Sequence, residues 1–264
     1  MVKIFSIFMI NLKTSLRYKV NFIASTLSIL VPVLPALLLL LNGDIAIFGF
    51  DTTIEYSAYL FIAISVWSGV EVVWDFTFQM RNQMKEGIFD EMLMQPLSIS
   101  ELILGWTMDG IISTIIQSIP LLIISAFILF SNQTILNILC ILIIIGLTYF
   151  CGFCMATILV AIMVNWKETD QLVSFISNIA PFICGVIVPL SYIPSPIKYF
   201  GVIFPFTWSL DIIRFIMFES PLLLPIEMEV MIFVLMIIMY YVLAKKLFKV
   251  LYNVSRKNGG TIGY

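Results

Sequence analysis

The sequence contains no histidine and few charged residues. Its 264 residues include 16 acidic and 14 basic side chains, and charged residues make up 11% of the chain, whereas a soluble globular protein carries about 25%. Without histidine, the commonest metal ligand and general base is missing. No patch of Lys and Arg offers a surface for nucleic acid. We therefore expect no catalytic residue, no metal site and no nucleic-acid partner.

The chain also lacks a nucleotide-binding motif. The pattern G-x-x-x-x-G-K-[ST] does not occur, so the chain has no P-loop with which to bind and hydrolyse ATP. We expect no cofactor on this chain and no enzyme activity of its own. Cys151 and Cys154 form a C-x-x-C, but no second such pair accompanies it. We expect all four cysteines to act as small buried apolar residues.

Apolar residues are abundant instead, at 61% of the chain. They form several continuous runs of at least the roughly 20 residues that a helix needs to cross a bilayer. Because backbone groups in lipid must be hydrogen-bonded within the segment, the runs predict helices. The fold class is an all-α polytopic membrane protein that forms a single transmembrane domain over 1–264. The six predicted transmembrane helices cover residues 20–41, 55–78, 101–130, 135–164, 170–190 and 226–248.

The basic residues predict the orientation of these spans. Twelve of the 14 Lys and Arg residues fall on one side of a six-span topology, including Arg81 and Lys85 in the loop after the second span. By the positive-inside rule, both termini are cytoplasmic. Residues 1–19 have apolar positions at helical spacing and Lys13 and Arg17 on one polar side, which predicts an N-terminal interfacial helix. Residues 249–264 form a cytosolic tail.

Residues 191–225 are then external, and they are too apolar for an ordinary loop. The segment is interrupted by prolines and a glycine, and a single additional span would place the basic tail outside the cell. We expect two short re-entrant helices that dip into the outer leaflet, packed against protein; one ordinary span in a different topology is the alternative. Asp211 and Arg214 are three residues apart and could pair on an external helix.

A short acidic and amphipathic segment, EGIFDEMLMQPLSISE, begins at Glu86. Its apolar residues have the spacing of one helical face, and Pro96 ends the helix. We expect a cytosolic helix over 86–97, between the second and third spans. Its apolar face needs a cover, which is either the membrane or a groove in a partner protein. Its acidic residues disfavour the anionic inner leaflet, and so the groove is the favoured interpretation.

Polar residues recur at helical spacing within four of the spans. Such stripes serve either packing within one subunit or a polar path at a dimer interface. Glu71 and Asp75 lie beside Trp74 toward the cytoplasmic end, where headgroup water and a substrate vestibule are equally plausible surroundings. The candidate path or interface residues are Asn21, Ser25, Ser28, Glu71, Asp75, Asp109, Ser113, Gln117, Ser174 and Asn178.

Two stretches resemble the type-2 ATP-binding-cassette exporter permeases. These are MKEGIFDEMLMQPLS and GVIVPLSYIPSPIKYFGVIFPFTWSLDIIR, which ends at Arg214, and the order of features fits over essentially the whole chain. The resemblance implies the membrane subunit of an ABC exporter in the bacterial or archaeal cytoplasmic membrane. The partners that it implies are membrane lipid, a second permease copy in a homodimer or heterodimer, and a separate cytosolic ATPase that holds ATP and Mg.

In that family the segment matching residues 86–95 is the coupling helix, which sits in a groove of the ATPase. The resemblance therefore assigns coupling to Glu86, Gly87, Ile88, Phe89, Asp90, Met92, Leu93 and Pro96. It also favours the first and fifth spans at the subunit interface. Two other functions stay open: an ion-coupled secondary carrier that uses Glu71, Asp75 and Asp109, and a non-transporting membrane assembly or partner protein. The chain has no internal repeat of the kind that many carriers show.

Overall fold

A computed structural model describes about half of the chain. The described residues are 53–87, 135–165, 170–187, 190, 193–219 and 222–257, together with Arg17, Val20, Ala24 and Ile123. These residues are helical or lie in short connecting turns, and no strand occurs among them. The predicted first and third spans, the interfacial helix and residues 88–97 of the predicted coupling helix lie outside these ranges, apart from the four single residues.

Six helices make up the described part. They are α1 (Thr53–Lys85), α2 (Ile135–Asn165), α3 (Asp170–Ile183), α4 (Ser195–Gly201), α5 (Pro205–Phe218) and α6 (Ile226–Lys257). Among the described residues, three stretches are long and apolar enough to cross a membrane: Glu55–Lys85, Ile135–Met163 and Ile226–Leu247. They coincide with the predicted second, fourth and sixth spans. α2 packs between α1 and α6, and α5 contacts all three.

α1 and α2 pack closely against each other at a glycine. A Cβ atom on Gly69 would lie 1.9 Å from the ring of Tyr149, so only a residue without a side chain fits there. The Tyr149 hydroxyl donates a hydrogen bond to the Ser65 carbonyl at 2.9 Å. This bond and the ring contact hold the middle of α2 against the middle of α1.

α1 is longer at its C-terminal end than the sequence predicted. The predicted span ended at residue 78, with Arg81 in a following loop; that boundary was wrong, since the helix continues to Lys85. The reason is packing, because Met80 and Met84 are buried against the same core as the residues before them. The helix is therefore stabilised beyond its most apolar stretch.

α3 is shorter than the predicted fifth span over 170–190. Its 14 residues extend about 21 Å at 1.5 Å per residue, less than the roughly 30 Å of a bilayer core. The chain turns after Ile183, where Gly185 has a φ of 85° that favours glycine. The helix therefore ends seven residues before residue 190, where the predicted span ended.

Two short helices follow within the predicted external segment. Both have proline in their first turn, a position where the missing N–H costs nothing, and α5 ends at Glu219, whose φ is 50°. Gly201 packs so closely on the end of α3 that a Cβ atom there would lie 2.1 Å from the Ile183 carbonyl oxygen. The corner between α4 and α5 is therefore tied to the end of α3.

This corner reaches deep along the long helices. The Tyr240 hydroxyl donates a hydrogen bond to the Ile203 carbonyl at 3.3 Å, and Tyr240 lies 14 residues after Ile226, or about 21 Å along α6. At the same level, the ring of Phe206 packs edge-on against Trp67, with centroids 6.2 Å apart. The corner thus lies level with the middle of α1 and α6. Its depth within a membrane stays a prediction.

Candidate functional site

One face of α1 changes from apolar to polar along its length. All residues from Ile62 to Val70 are buried. Beyond them, an exposed row of acids and amides recurs at intervals of four, four and three residues, which places it on one helical face. We call this row the α1 polar stripe: Glu71, Asp75, Gln79 and Asn82. Because such side chains are costly against lipid, the stripe indicates contact with water or with protein.

A small cavity lies at the upper end of this stripe, between α1 and α3. Its volume is about 50 Å³, and it is lined by Ile64, Trp67, Ser68, Glu71, Pro181, Val186 and Ile187. This volume holds a few water molecules and is far below the roughly 300–1,000 Å³ of a ligand pocket. The cavity alone is therefore too small for a substrate, but it places Glu71 at a gap between two helices.

The predicted polar residues of α3 lie apart from this cavity. The Asn178 side-chain amide donates a hydrogen bond to the Ser174 carbonyl at 2.8 Å within the same helix, and neither residue lines the cavity. Phe175 and Phe182 are exposed by 66% and 61%. α3 therefore presents an exposed face that combines two aromatic rings and Ile179 with the polar residues Gln171 and Asn178.

The C-terminal end of α1 leads into the predicted coupling segment. The Glu86 and Gly87 amides donate hydrogen bonds to the Asn82 and Met84 carbonyls, at 3.0 and 3.3 Å. Gly87 has a φ of 75°, which is the usual glycine conformation just after a helix. Glu86 and Gly87 are exposed and form the turn that ends α1.

The remaining candidate residues cannot be placed. Outside the described residues lie Ile88, Phe89, Asp90, Met92, Leu93 and Pro96 of the coupling segment, and Asn21, Ser25, Ser28, Asp109, Ser113 and Gln117 of the predicted first and third spans. Of the candidate path residues, the structure therefore describes Glu71, Asp75, Ser174 and Asn178. Their roles stay predictions.

Side-chain hydrogen bonds fasten the start of α1 to the short helices. The Tyr56 hydroxyl donates to the Ile187 carbonyl at 3.1 Å, and the Tyr59 hydroxyl donates to the Gly185 carbonyl. The Thr207 hydroxyl and the Trp208 indole N–H donate to the carbonyls of Gly201 and Val202, at 2.6 and 3.0 Å. Sequence reasoning missed these contacts because each joins a side chain to a backbone carbonyl, which leaves no sequence pattern.

A buried ion pair lies at the same end of the molecule. Arg214 and Asp211 contact each other at 2.7 Å between Nη2 and Oδ1, which confirms the predicted pairing. Burial raises the pKa of the Asp211 carboxyl above its ordinary value, and the Arg214 guanidinium opposes that shift. Glu229, in the first turn of α6, is fully buried beside this pair. Sequence analysis overlooked Glu229 because an acid in the first turn of a helix is common.

Comparison with protein families identifies the family of this chain. A family model described as "ABC-2 type transporter" matches residues 3–218, which extends from near the N-terminus to the last residue of α5. The matched range includes the α1 polar stripe, the whole coupling segment and the ion pair. No curated protein matches the chain.

Proposed function

The chain belongs to the ABC-2 type transporter family, and we propose that it is the permease of an ATP-driven exporter. Members of this family are integral membrane permease subunits that have no ATPase site and work with a cytosolic ATPase. In our proposal, ATP and Mg are bound by that separate ATPase, which docks on the segment after Gly87. The membrane is the bacterial or archaeal cytoplasmic membrane, with both termini on the cytoplasmic side.

The observation that carries this proposal is the α1 polar stripe. It runs down a helix that is apolar enough to cross a membrane, and it ends beside the turn that opens the coupling segment. α1 is one continuous helix from Thr53 to Lys85. A displacement of the Gly87 turn by the ATPase would therefore also displace the stripe. The stripe would thus form the inner part of the substrate path, where the ATPase acts.

A second permease would complete the path. The exposed face of α3 contains Phe175 and Phe182 together with Asn178. We propose that a second copy, or a sister permease, covers this face. Lipid then covers the outward faces of α2 and of residues 228–243 of α6, where the exposed residues are apolar or aromatic. The substrate would pass between the two permeases.

The coupling role is tested by placing a charge in the predicted docking face. Phe89→Asp should abolish co-purification of the ATPase from membranes in mild detergent, because a buried carboxylate without a partner opposes docking. The matched control is Val250→Asp, which adds the same charge at an exposed position of α6. Full retention of the ATPase in Phe89→Asp would contradict the docking assignment. A wild-type chain that purifies without a P-loop ATPase would contradict the exporter.

The path is tested by labelling two neighbouring positions. In a variant without the four native cysteines, Gln79→Cys should react with a charged, membrane-impermeant maleimide in opened vesicles. Met80→Cys, at a position exposed by only 3%, should not react. Equal protection of both cysteines would show that the stripe is covered by lipid or protein and would exclude it from a watery path.

A further inference from the structure

Three ionisable side chains are buried together where α5 meets α6. Asp211 and Arg214 come from α5 and are exposed by 4% and 2%, and Glu229 comes from α6 and is exposed by 0%. The Arg214 guanidinium contacts Oδ1 of Asp211 at 2.7 Å. Among the described residues, the cluster therefore contains two carboxyl groups and one guanidinium, all of them buried.

The hydrogen bonds around the two carboxyl groups leave one carboxyl oxygen without a donor. Oδ2 of Asp211 accepts a hydrogen bond from the Leu223 N–H at 3.3 Å, and Oε1 of Glu229 accepts one from the Leu224 N–H at 3.0 Å. Oε2 of Glu229 is buried and has no donor. Because Leu223 and Leu224 are adjacent, these two hydrogen bonds bring the Asp211 and Glu229 carboxyl groups side by side, and each carboxyl group acts on the other. Two ionised carboxylates have no proton to donate, so the contact would be repulsive.

We propose that Asp211 and Glu229 hold one proton between them. This proton supplies the missing donor at the carboxyl–carboxylate contact and makes the cluster with Arg214 electrically neutral, as a buried charge group requires. The other titratable groups that act on Asp211 are Tyr59 of α1, whose hydroxyl is committed to Gly185, and the half-buried Lys198 of α4. Neither side chain supplies a donor to Oε2 of Glu229.

A bound metal cation is the competing explanation for two adjacent carboxyl groups. Calcium takes six to eight oxygen ligands, but here only Oε2 of Glu229 lacks a partner. In the described part of the chain, no group of three or more metal-ligating side chains is arranged around an ion. A proton fits the single open position. Its effect is to fasten α5 to the turn at 222–225 and to the first turn of α6.

Infrared spectroscopy on the full-length protein in lipid nanodiscs tests the proposal directly. At neutral pH, the wild-type spectrum should contain the C=O stretch of a protonated carboxyl group, shifted in D₂O, and Glu229→Gln should lose this band. The result holds whichever carboxyl carries the proton, because with Gln at 229 Asp211 ionises against Arg214. Glu227→Gln, at an exposed position two residues earlier on α6, is the control and should keep the band. An unchanged spectrum in Glu229→Gln would overturn the proposal.

Thermal unfolding of the same samples gives an independent answer. An amide has the shape of a protonated carboxyl group and can donate to Asp211 while accepting from the Leu224 N–H. Glu229→Gln should therefore unfold at the wild-type temperature. Glu229→Ala, which removes the acceptor of the Leu224 N–H and the donor to Asp211, should unfold at a lower one. If Glu229→Gln fails to fold, or unfolds as early as Glu229→Ala, then the site requires an ionised glutamate and the shared proton is refuted.

Discussion

The helices α1 and α6 are both long enough to cross a membrane, but they have opposite surroundings. In the most apolar stretch of α1, 81% of the residues are buried by the rest of the chain, against 17% in α6. α6 nevertheless has the more apolar stretch of the two. Its buried residues form one narrow strip that faces α2 and α5, and these are Glu229, Phe233, Ile237 and Ala244.

The difference shows that the hydropathy of a membrane helix reflects whether lipid or protein surrounds it. Lipid tails are as apolar as leucine, so a helix surrounded by lipid must be apolar on its outward faces. A helix enclosed by protein can contain hydroxyl groups, provided that each is hydrogen-bonded. α1 does so, since the Ser65 and Ser68 hydroxyls donate to the Phe61 and Ser65 carbonyls at 2.6 and 2.8 Å. The less apolar helix is therefore the better candidate for the functional interior.

The largest expected effect comes from the buried charged cluster where α5 packs on the start of α6. Arg214→Met removes the cation from the cluster and leaves Asp211 and Glu229 buried together. Breaking a buried ion pair by removing one partner costs about 3–5 kcal/mol, and we expect a loss of that size in the free energy of unfolding in detergent. Lys198→Met removes a half-buried basic residue of α4 and should change little. Equal stability of the two variants would show that the ion pair does not stabilise the junction.

The second prediction concerns the enclosed side of α1. Gly69→Ala forces a methyl group into the Tyr149 ring, and overpacking of this kind costs about 1–3 kcal/mol. Gly146→Ala on α2 is the matched control, because a Cβ atom there meets nothing within 4 Å and alanine favours a helix by up to about 1 kcal/mol. The two variants should shift the unfolding midpoint in opposite directions. A stabilising Gly69→Ala would contradict the close packing of α1 and α2.

The sequence was sufficient for features that depend on local spacing. Apolar runs located three spans, and an interval of three residues predicted the Asp211–Arg214 pair. It was insufficient where the outcome depends on tertiary packing. Pro181 and Gly185 were visible, but proline and glycine are tolerated in membrane helices, so the early end of α3 was missed.

The α1 polar stripe shows the same limit. Glu71 and Asp75 were recognised as one face of the second span. Gln79 and Asn82 were not, because the span was predicted to end at residue 78. Their place on the stripe follows from the continuation of α1, which depends on burial of Met80 and Met84. Whether a side chain is buried by a distant helix is information that no local pattern contains.

A third prediction asks whether the rigidity of α1 extends to its last turn. In Gly87→Ala the added methyl group meets no neighbouring atom, but the backbone conformation becomes unfavourable. The φ of 75° at Gly87 costs an L-residue about 1–2 kcal/mol. The amides of Glu86 and residue 87 should then exchange their hydrogens about 5–30 times faster. Gly87→Asn tolerates this conformation better and should exchange more slowly than Gly87→Ala. Identical exchange in all three proteins would mean that the turn does not constrain the coupling segment.

The smallest expected effect compares the protein-facing and the outward-facing side of α6 at two adjacent isoleucines. Ile237 is exposed by 9% and Ile238 by 54%, and valine removes the same methyl group from each. Ile237→Val should cost about 0.5–1.5 kcal/mol, because the protein around it cannot fill the gap. Ile238→Val should be neutral within error, because lipid chains move into the space and restore the dispersion contacts. A loss at Ile238 equal to that at Ile237 would mean that protein, and not lipid, covers the outward face of α6, and the contrast with α1 would then disappear.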